Sequence, residues 1–169
     1  MQLIDTQAAM RPACAALTGA AWLAVDTEFV RERTYFPVPC LVQIASADAV
    51  FGFDLVALDD LQPLMDLIFD RNCVKVLHAP RQDLEIFFQL TGKVPQPVFD
   101  TQLAAAMCGH DEQVSYGGLV SAVCGEELPK DSTRTDWTRR PLSPAQLAYA
   151  ANDVTWLRMV YQRLRDELD

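Results

Sequence analysis

The stretch Ala21–Val30, reading Ala-Trp-Leu-Ala-Val-Asp-Thr-Glu-Phe-Val, constrains this chain more than any other. It opens as a short apolar run of the kind that forms a buried strand. It then places two carboxylates, Asp26 and Glu28, two residues apart. Side chains alternate across a strand, so these acids share a face. Two acids on one face at the end of a hydrophobic strand are costly unless something neutralises them or the strand runs out into a solvated turn. A divalent cation answers the first case. Mg²⁺ prefers oxygen ligands and is usually held by one or two carboxylates with waters and substrate phosphates.

The chain has 169 residues, half of them hydrophobic, which is enough for one domain with a full core. No basic-then-apolar leader precedes it and no apolar run approaches a membrane span, so a cytoplasmic protein without a membrane partner is expected. The five cysteines are scattered, with no Cys-x-x-Cys pair. They read as small core residues in a reducing compartment rather than as zinc ligands. The net charge of −9 opposes a nucleic-acid partner, because phosphate contacts come from Lys and Arg. Local clusters matter more than the sum, and Lys130, Arg134, Arg139 and Arg140 fall within eleven positions. Arg31 and Arg33, with Tyr35 and Phe36, form a second charged and aromatic loop beside the acids. Such a loop suits a phosphate and a base as well as it suits an ordinary surface.

The periodicities predict a first helix over Asp5–Leu17, then the acid-bearing strand, then strands at Leu41–Ala45 and Val50–Leu55 joined as a hairpin. Helical pattern follows at Leu61–Phe69, a short buried strand at Val74–Leu77, a helix at Arg81–Leu90 and a brief strand at Val98-Phe99. Helices are then expected at Thr101–Met107 and, capped by Ser115, through Leu119 to Val123. The final helix is the clearest. Ser143 caps it, Pro144 suits its first position, Gln146 completes a capping box, and its apolar stripe runs to about Leu168. A hairpin-bearing sheet followed by alternating strands and helices predicts an α/β domain with a mixed sheet, its first three strands antiparallel and the later ones parallel, flanked by helices.

Three further acids fall at strand ends or on helix faces. Asp83 sits in the first turn of a helix that follows a buried strand. There it either serves the helix dipole or reaches the strand end, where open α/β sheets place ligands. Asp100 precedes Thr101 and reads as a helix cap. Tyr149 and Asp153 are four apart on the last helix and share a face. Asp26, Glu28, Asp83 and Asp153 make a four-carboxylate set with one phenol. That is too many acids for one structural role and about right for two Mg²⁺ or Mn²⁺ ions held by shared carboxylates. His78 reads as structural, since no nucleophile or zinc ligand is spaced to partner it, and Trp137 as a core plug.

Val-Asp-Thr-Glu-Phe-Val at 25–30, His-Ala-x-x-x-Asp-Leu-Glu at 78–85 and Tyr-Ala-Ala-x-Asp-Val at 149–154 resemble the three motifs of the DEDD exonuclease superfamily. The tyrosine four residues before the last aspartate resembles its DEDDy branch. Arg31–Pro37, Pro95–Gln102 and Ser132–Ser143 are similar to the ribonuclease D family. The resemblance covers nearly the whole chain. It implies an RNase H-like exonuclease fold and a metal-dependent 3′→5′ exoribonuclease that releases nucleoside 5′-monophosphates. Its expected partners are RNA 3′ ends, transfer RNA precursors among them, and no obligate protein partner is implied. Residues 1–169 are expected to form a single exonuclease domain, without the helical HRDC domains that usually follow in the bacterial family.

Carried onto this sequence, the resemblance implies that Asp26, Glu28 and Asp153 bind one divalent cation. Asp26 also reaches a second, and Asp83 acts through coordinated water or that second ion. Tyr149 orients the attacking water, and Glu28 accepts a hydrogen bond from the terminal 3′-hydroxyl. Lys130, Arg134, Arg139, Arg140, Arg31 and Arg33 are the expected substrate-binding residues. The same acids read a DNA phosphate equally well, so a 3′→5′ DNA exonuclease is the alternative. A non-catalytic RNA-binding adaptor is a second alternative, although such a domain would be expected to have lost an acid or the tyrosine.

Overall fold

In the computed structural model, which describes residues 1–32, 34–128 and 135–168, the elements follow in the order β1 (Gln2–Ile4), α1 (Gln7–Leu17), β2 (Trp22–Val30), β3 (Val38–Ala45), β4 (Val50–Asp54), α2 (Gln62–Ile68), β5 (Val74–Leu77), α3 (Arg81–Thr91), β6 (Val98–Asp100), α4 (Thr101–Met107), α5 (Tyr116–Cys124) and α6 (Pro144–Leu168). The six strands form one mixed sheet in the order β1-β4-β3-β2-β5-β6. β2, β3 and β4 run antiparallel in turn, and β5 and β6 add on in parallel, as the sequence predicts. β1 is an unexpected addition: it pairs in parallel with β4 at the sheet edge, Leu3 opposite Gly52. Three residues are too few to show a strand period in sequence. The first helix starts at Gln7 rather than Asp5 and continues through Pro12.

Strand alternation separates two faces. Leu23, Val25, Val42, Ile44, Phe51 and Phe53 point toward α1, α2 and α3, where they pack with Met10, Leu17, Leu64, Ile68 and Phe87. On the opposite face Ala24, Ala45 and Val76 meet Val154, Leu157 and Tyr161 of α6. α6 is backed in turn by α4 and α5 through Ala105, Leu119, Val120, Val160 and Leu164. The small Ala24 and Ala45 let α6 lie close over the centre of the sheet. α6 begins as predicted: Ser143 N donates to Gln146 Oε1 at 3.0 Å and Gln146 N to Ser143 Oγ at 3.2 Å. Its middle is tied to the β3–β4 turn, where Arg158 Nη1 donates to the carbonyls of Ser46 and Ala47.

Two offsets open a cleft. β5 pairs with β2 only from Trp22 to Ala24, so Asp26 to Val30 project past its end. Beyond Glu28 the β2–β3 register shifts by one residue, with Cys40 as the extra residue on β3. Such bulges re-aim side chains. No helix among the described residues is long and apolar enough to cross a membrane.

Candidate active site

Asp26 and Glu28 project from the α6 face of β2, and Asp153 comes down on them from α6. Each offers a carboxylate oxygen, and these three oxygens lie within 4.8 Å of one another. All three acids are half-buried, sunk into the cleft with one side open to solvent. Asp83 approaches from the other side, on the first turn of α3. It is buried, and its Oδ1 accepts a hydrogen bond from Thr27 Oγ1 at 2.6 Å. Thus Asp83 borders the triplet without belonging to it.

The turn that delivers Asp83 is specific. Ala79 adopts φ 48°, the left-handed region that costs a residue with a Cβ. Its N–H donates to Asp100 Oδ1 at 3.1 Å, and the same oxygen accepts from Gln102 N at 2.9 Å. Asp100 therefore caps α4 as expected and pins the α3 entry at the same time. His78 is structural, as its spacing predicts. Its Nδ1 lies 3.0 Å from Thr101 Oγ1 and its Nε2 3.2 Å from the Val114 carbonyl. Burial pushes its pKa down, and Nε2–H donates to the Val114 carbonyl.

The electrostatics follow from the crowding. Burial, and then the charges of Asp83, Asp153 and Glu28, hold Asp26 far above the ordinary carboxylate range. Burial, followed by Asp153 and Asp83, raises Glu28 to about 9. Burial raises Asp153 to about 7 against the opposing hydrogen bond of the Tyr149 phenol. Burial raises Asp83 to about 6 against the Thr27 hydroxyl. Carboxylates that repel one another in a low-dielectric cleft stay protonated unless a cation offsets their charge. An all-oxygen, all-acidic donor set is the chemistry of a hard divalent ion such as Mg²⁺ or Mn²⁺. These residues fit such an ion.

Tyr149 stands one turn before Asp153 on α6, half-buried, its ring 6.3 Å from Trp137 at a tilt of 45°. Trp137 is buried with Cys40, Leu41, Leu142 and Ala150, the core plug its size predicts. Burial and then the charges of Asp153, Glu28 and Asp26 push the Tyr149 phenol above its ordinary pKa. It stays protonated, a hydrogen-bond donor to Asp153 rather than a base.

The basic residues divide. Arg140 is not free to meet a substrate. Nε and Nη2 grip Asp54 at 2.5 and 2.6 Å, Nη2 also reaches the Cys40 carbonyl, and Nη1 donates to the carbonyls of Trp137 and Arg139. All five guanidinium donors are used, so the expected substrate contact is corrected to a structural clamp. Arg31 pairs with Glu85 of α3, and Gln89 Nε2 donates to the Pro37 carbonyl at 3.1 Å. These two contacts hold the β2–β3 loop against α3. Tyr35 and Phe36 project from that loop edge to face, 88% and 58% exposed. Arg139 is exposed. Arg33, Lys130 and Arg134 lie outside the described residues.

Sequence reasoning missed two braces of the cluster. Thr27 faces away from Asp26 and Glu28 in strand alternation, yet it holds Asp83. Tyr116 on α5 donates to the backbone carbonyl of Asp153. Nothing in the local sequence marks either, because each acts across 37 or more positions.

A family model described as 3'-5' exonuclease matches residues 1–169. A ribonuclease D from Granulibacter bethesdensis is 49% identical over 157 residues, covering 92% of this chain and 40% of that protein. Among solved structures, Escherichia coli RNase D, described as an exoribonuclease involved in structured RNA processing, superposes with a TM-score of 0.94 at 38% identity, over 98% of this chain and 44% of that one. Trypanosoma brucei RNase D in complex with RNA U12 gives a TM-score of 0.86 at 25% identity, over 96% of this chain and 61% of that one. The chain spans 38 to 44% of the length of the curated relatives it matches. With its whole length matched and its sheet and helices superposing on RNase D, the chain has the RNase H-like exonuclease fold and belongs to the 3'-5' exonuclease family.

Proposed function

We propose that this chain is a 3′→5′ exoribonuclease domain spanning residues 1–169, which shortens RNA from its 3′ end and releases nucleoside 5′-monophosphates. The observation that carries this reading is the convergence of Asp26, Glu28 and Asp153 on one point, with ligand oxygens within 4.8 Å, beside Asp83 and Tyr149. Relatives described as ribonuclease D, one of them solved with RNA, support RNA as the substrate. The substrates proposed are transfer RNA precursors and other structured RNAs. A cytoplasmic setting agrees with five free cysteines.

Two divalent ions, Mg²⁺ or Mn²⁺, are the proposed cofactors. When bound they offset the carboxylate charges and stabilise charge developing around the scissile phosphate and on the leaving 3′ oxygen. Asp26, Glu28 and Asp153 would hold one ion, Asp26 would also serve the second, and Asp83 would act through coordinated water or that second ion. The Tyr149 phenol, its proton on Asp153, accepts a hydrogen bond from the attacking water and sets its direction. Glu28 accepts from the terminal 3′-hydroxyl, which gives a free end its preference. Arg31 and Arg139 supply phosphate contacts, with Arg33, Lys130 and Arg134 as further candidates, and the Tyr35–Phe36 pair offers a face for a base.

The test is incubation with a 3′-tailed structured RNA and the matching DNA, with and without Mn²⁺ or Mg²⁺, beside Asp26→Ala. Metal-dependent shortening of the RNA, lost in the variant, is expected. Equal or faster loss of DNA moves the assignment to a DNA exonuclease. Binding without cleavage moves it to an adaptor.

A further inference from the structure

Gln43 lies directly across the β2–β3 ladder from Asp26, and therefore on the same face of the sheet as the acidic cluster. Its other cross-strand neighbour is Gly52 of β4. The Met1 side chain fills the space above that glycine, so closely that a Cβ there would lie 2.9 Å from Met1 Cε. The row Gly52, Gln43, Asp26 thus runs from an apolar corner to the edge of the cleft. Gln43 is 0% exposed, and neither its Oε1 nor its Nε2 has a hydrogen-bond partner among the described residues. Among those residues, these are the buried side-chain polar atoms left unpaired. A buried amide without partners is destabilising, and folded proteins seldom retain one without a purpose. Leu or Met would occupy the same position without that cost. The Gln43 amide also lies near enough to the Glu28 carboxyl to favour its ionised form.

We propose that Gln43 is a positioning residue for the acidic cluster: in the cation-loaded site its Nε2 donates to the Glu28 carboxylate and fixes which oxygen that side chain turns to the ion. An uncharged donor suits this task, because it orients a ligand without competing with the cation for it. The buried amide, with no other partner to satisfy it, is then a donor reserved for that carboxylate. This assignment rests on reading Asp26, Glu28 and Asp153 as the metal-binding set.

The test compares wild type, Gln43→Met, Gln43→Asn and Asp26→Ala. Mn²⁺ is titrated calorimetrically into each RNA-free protein, and Tm is measured in chelator. Gln43→Met keeps the volume and removes the donor. It should weaken Mn²⁺ binding about tenfold, lower kcat on RNA with KM unchanged, and leave the chelated Tm equal to wild type or higher. Gln43→Asn keeps the amide but withdraws it by one methylene. It should show the same loss of affinity, and it supplies the measurement if the Met variant does not fold. A lower chelated Tm with wild-type Mn²⁺ affinity and kcat overturns the proposal, since that is what a purely structural glutamine gives. If Asp26→Ala also binds Mn²⁺ and cleaves like wild type, the metal-binding reading itself fails. If Asp26→Ala is inactive while both Gln43 variants bind Mn²⁺ like wild type, only the assignment of Gln43 falls.

Discussion

Each acid in the cleft is held where its charge is unwelcome until a cation arrives, and this gives single substitutions opposite effects on stability and activity. Asp26→Asn removes the most crowded ionisable group, whose burial costs stability at any pH where the unfolded chain would ionise it. It should raise the Tm of the chelated protein at pH 8 while reducing RNA shortening to background, as melts and a 3′-end assay would show. Tyr149→Phe removes one oxygen and keeps the ring against Trp137. The phenol is held protonated by burial and by its acidic neighbours, so its contribution is orientation. The variant should lose about a hundredfold in kcat, with KM for RNA and Tm nearly unchanged. A kcat within threefold of wild type would remove Tyr149 from the reacting centre.

The segment before α6 carries its weight through one clamp. Arg140 satisfies all five of its donors inside the protein, and its partner Asp54 is almost wholly buried. Removing the arginine strands that charge, so Arg140→Ala should cost about 3 kcal/mol in urea unfolding. The segment also carries Trp137, the backing of Tyr149, and the variant's kcat should therefore fall along with its stability. Arg139→Ala, on the exposed neighbour, should leave unfolding unchanged and raise KM for RNA. At the α3 entry, Asp100→Ala removes the α4 cap and the acceptor for Ala79 N at once. A loss of at least about 1 kcal/mol is expected.

The whole molecule should show the cluster in its pH dependence. Asp83 near 6, Asp153 near 7 and Glu28 near 9 all titrate above their unfolded values of about 4. Between those limits the folded protein holds protons that the unfolded chain has released. Stability from these groups is therefore full below about pH 4 and is lost as pH rises through 6 to 9. The Tm in chelator should fall from pH 5 to pH 9. Mn²⁺ should restore it at pH 8 and do little at pH 5, where protons occupy the ligands. A flat chelated Tm over that range would show that the acids are not crowded as described.

The chemistry of the cleft was legible in the chain because it is local. Strand alternation puts Asp26 and Glu28 on one face, helical spacing aligns Tyr149 with Asp153, and the Ser143–Gln146 cap marks where that helix starts. The mixed α/β order followed from the alternation of strand and helix periods. Tertiary structure alone decided the rest, since it depends on contacts between distant segments. Thr27 reaches Asp83 on the α3 face of the sheet, and Tyr116 braces the Asp153 carbonyl from another helix. β1 exists only because β4 offers it an edge. Arg140, one of several arginines in a basic run, turns inward because Asp54 lies buried beneath it. Gln43 reads in sequence as one more residue of a strand, and only the cross-strand register places its unpaired amide beside the acids. Sequence periodicity shows which face a side chain occupies, and packing decides what it meets there.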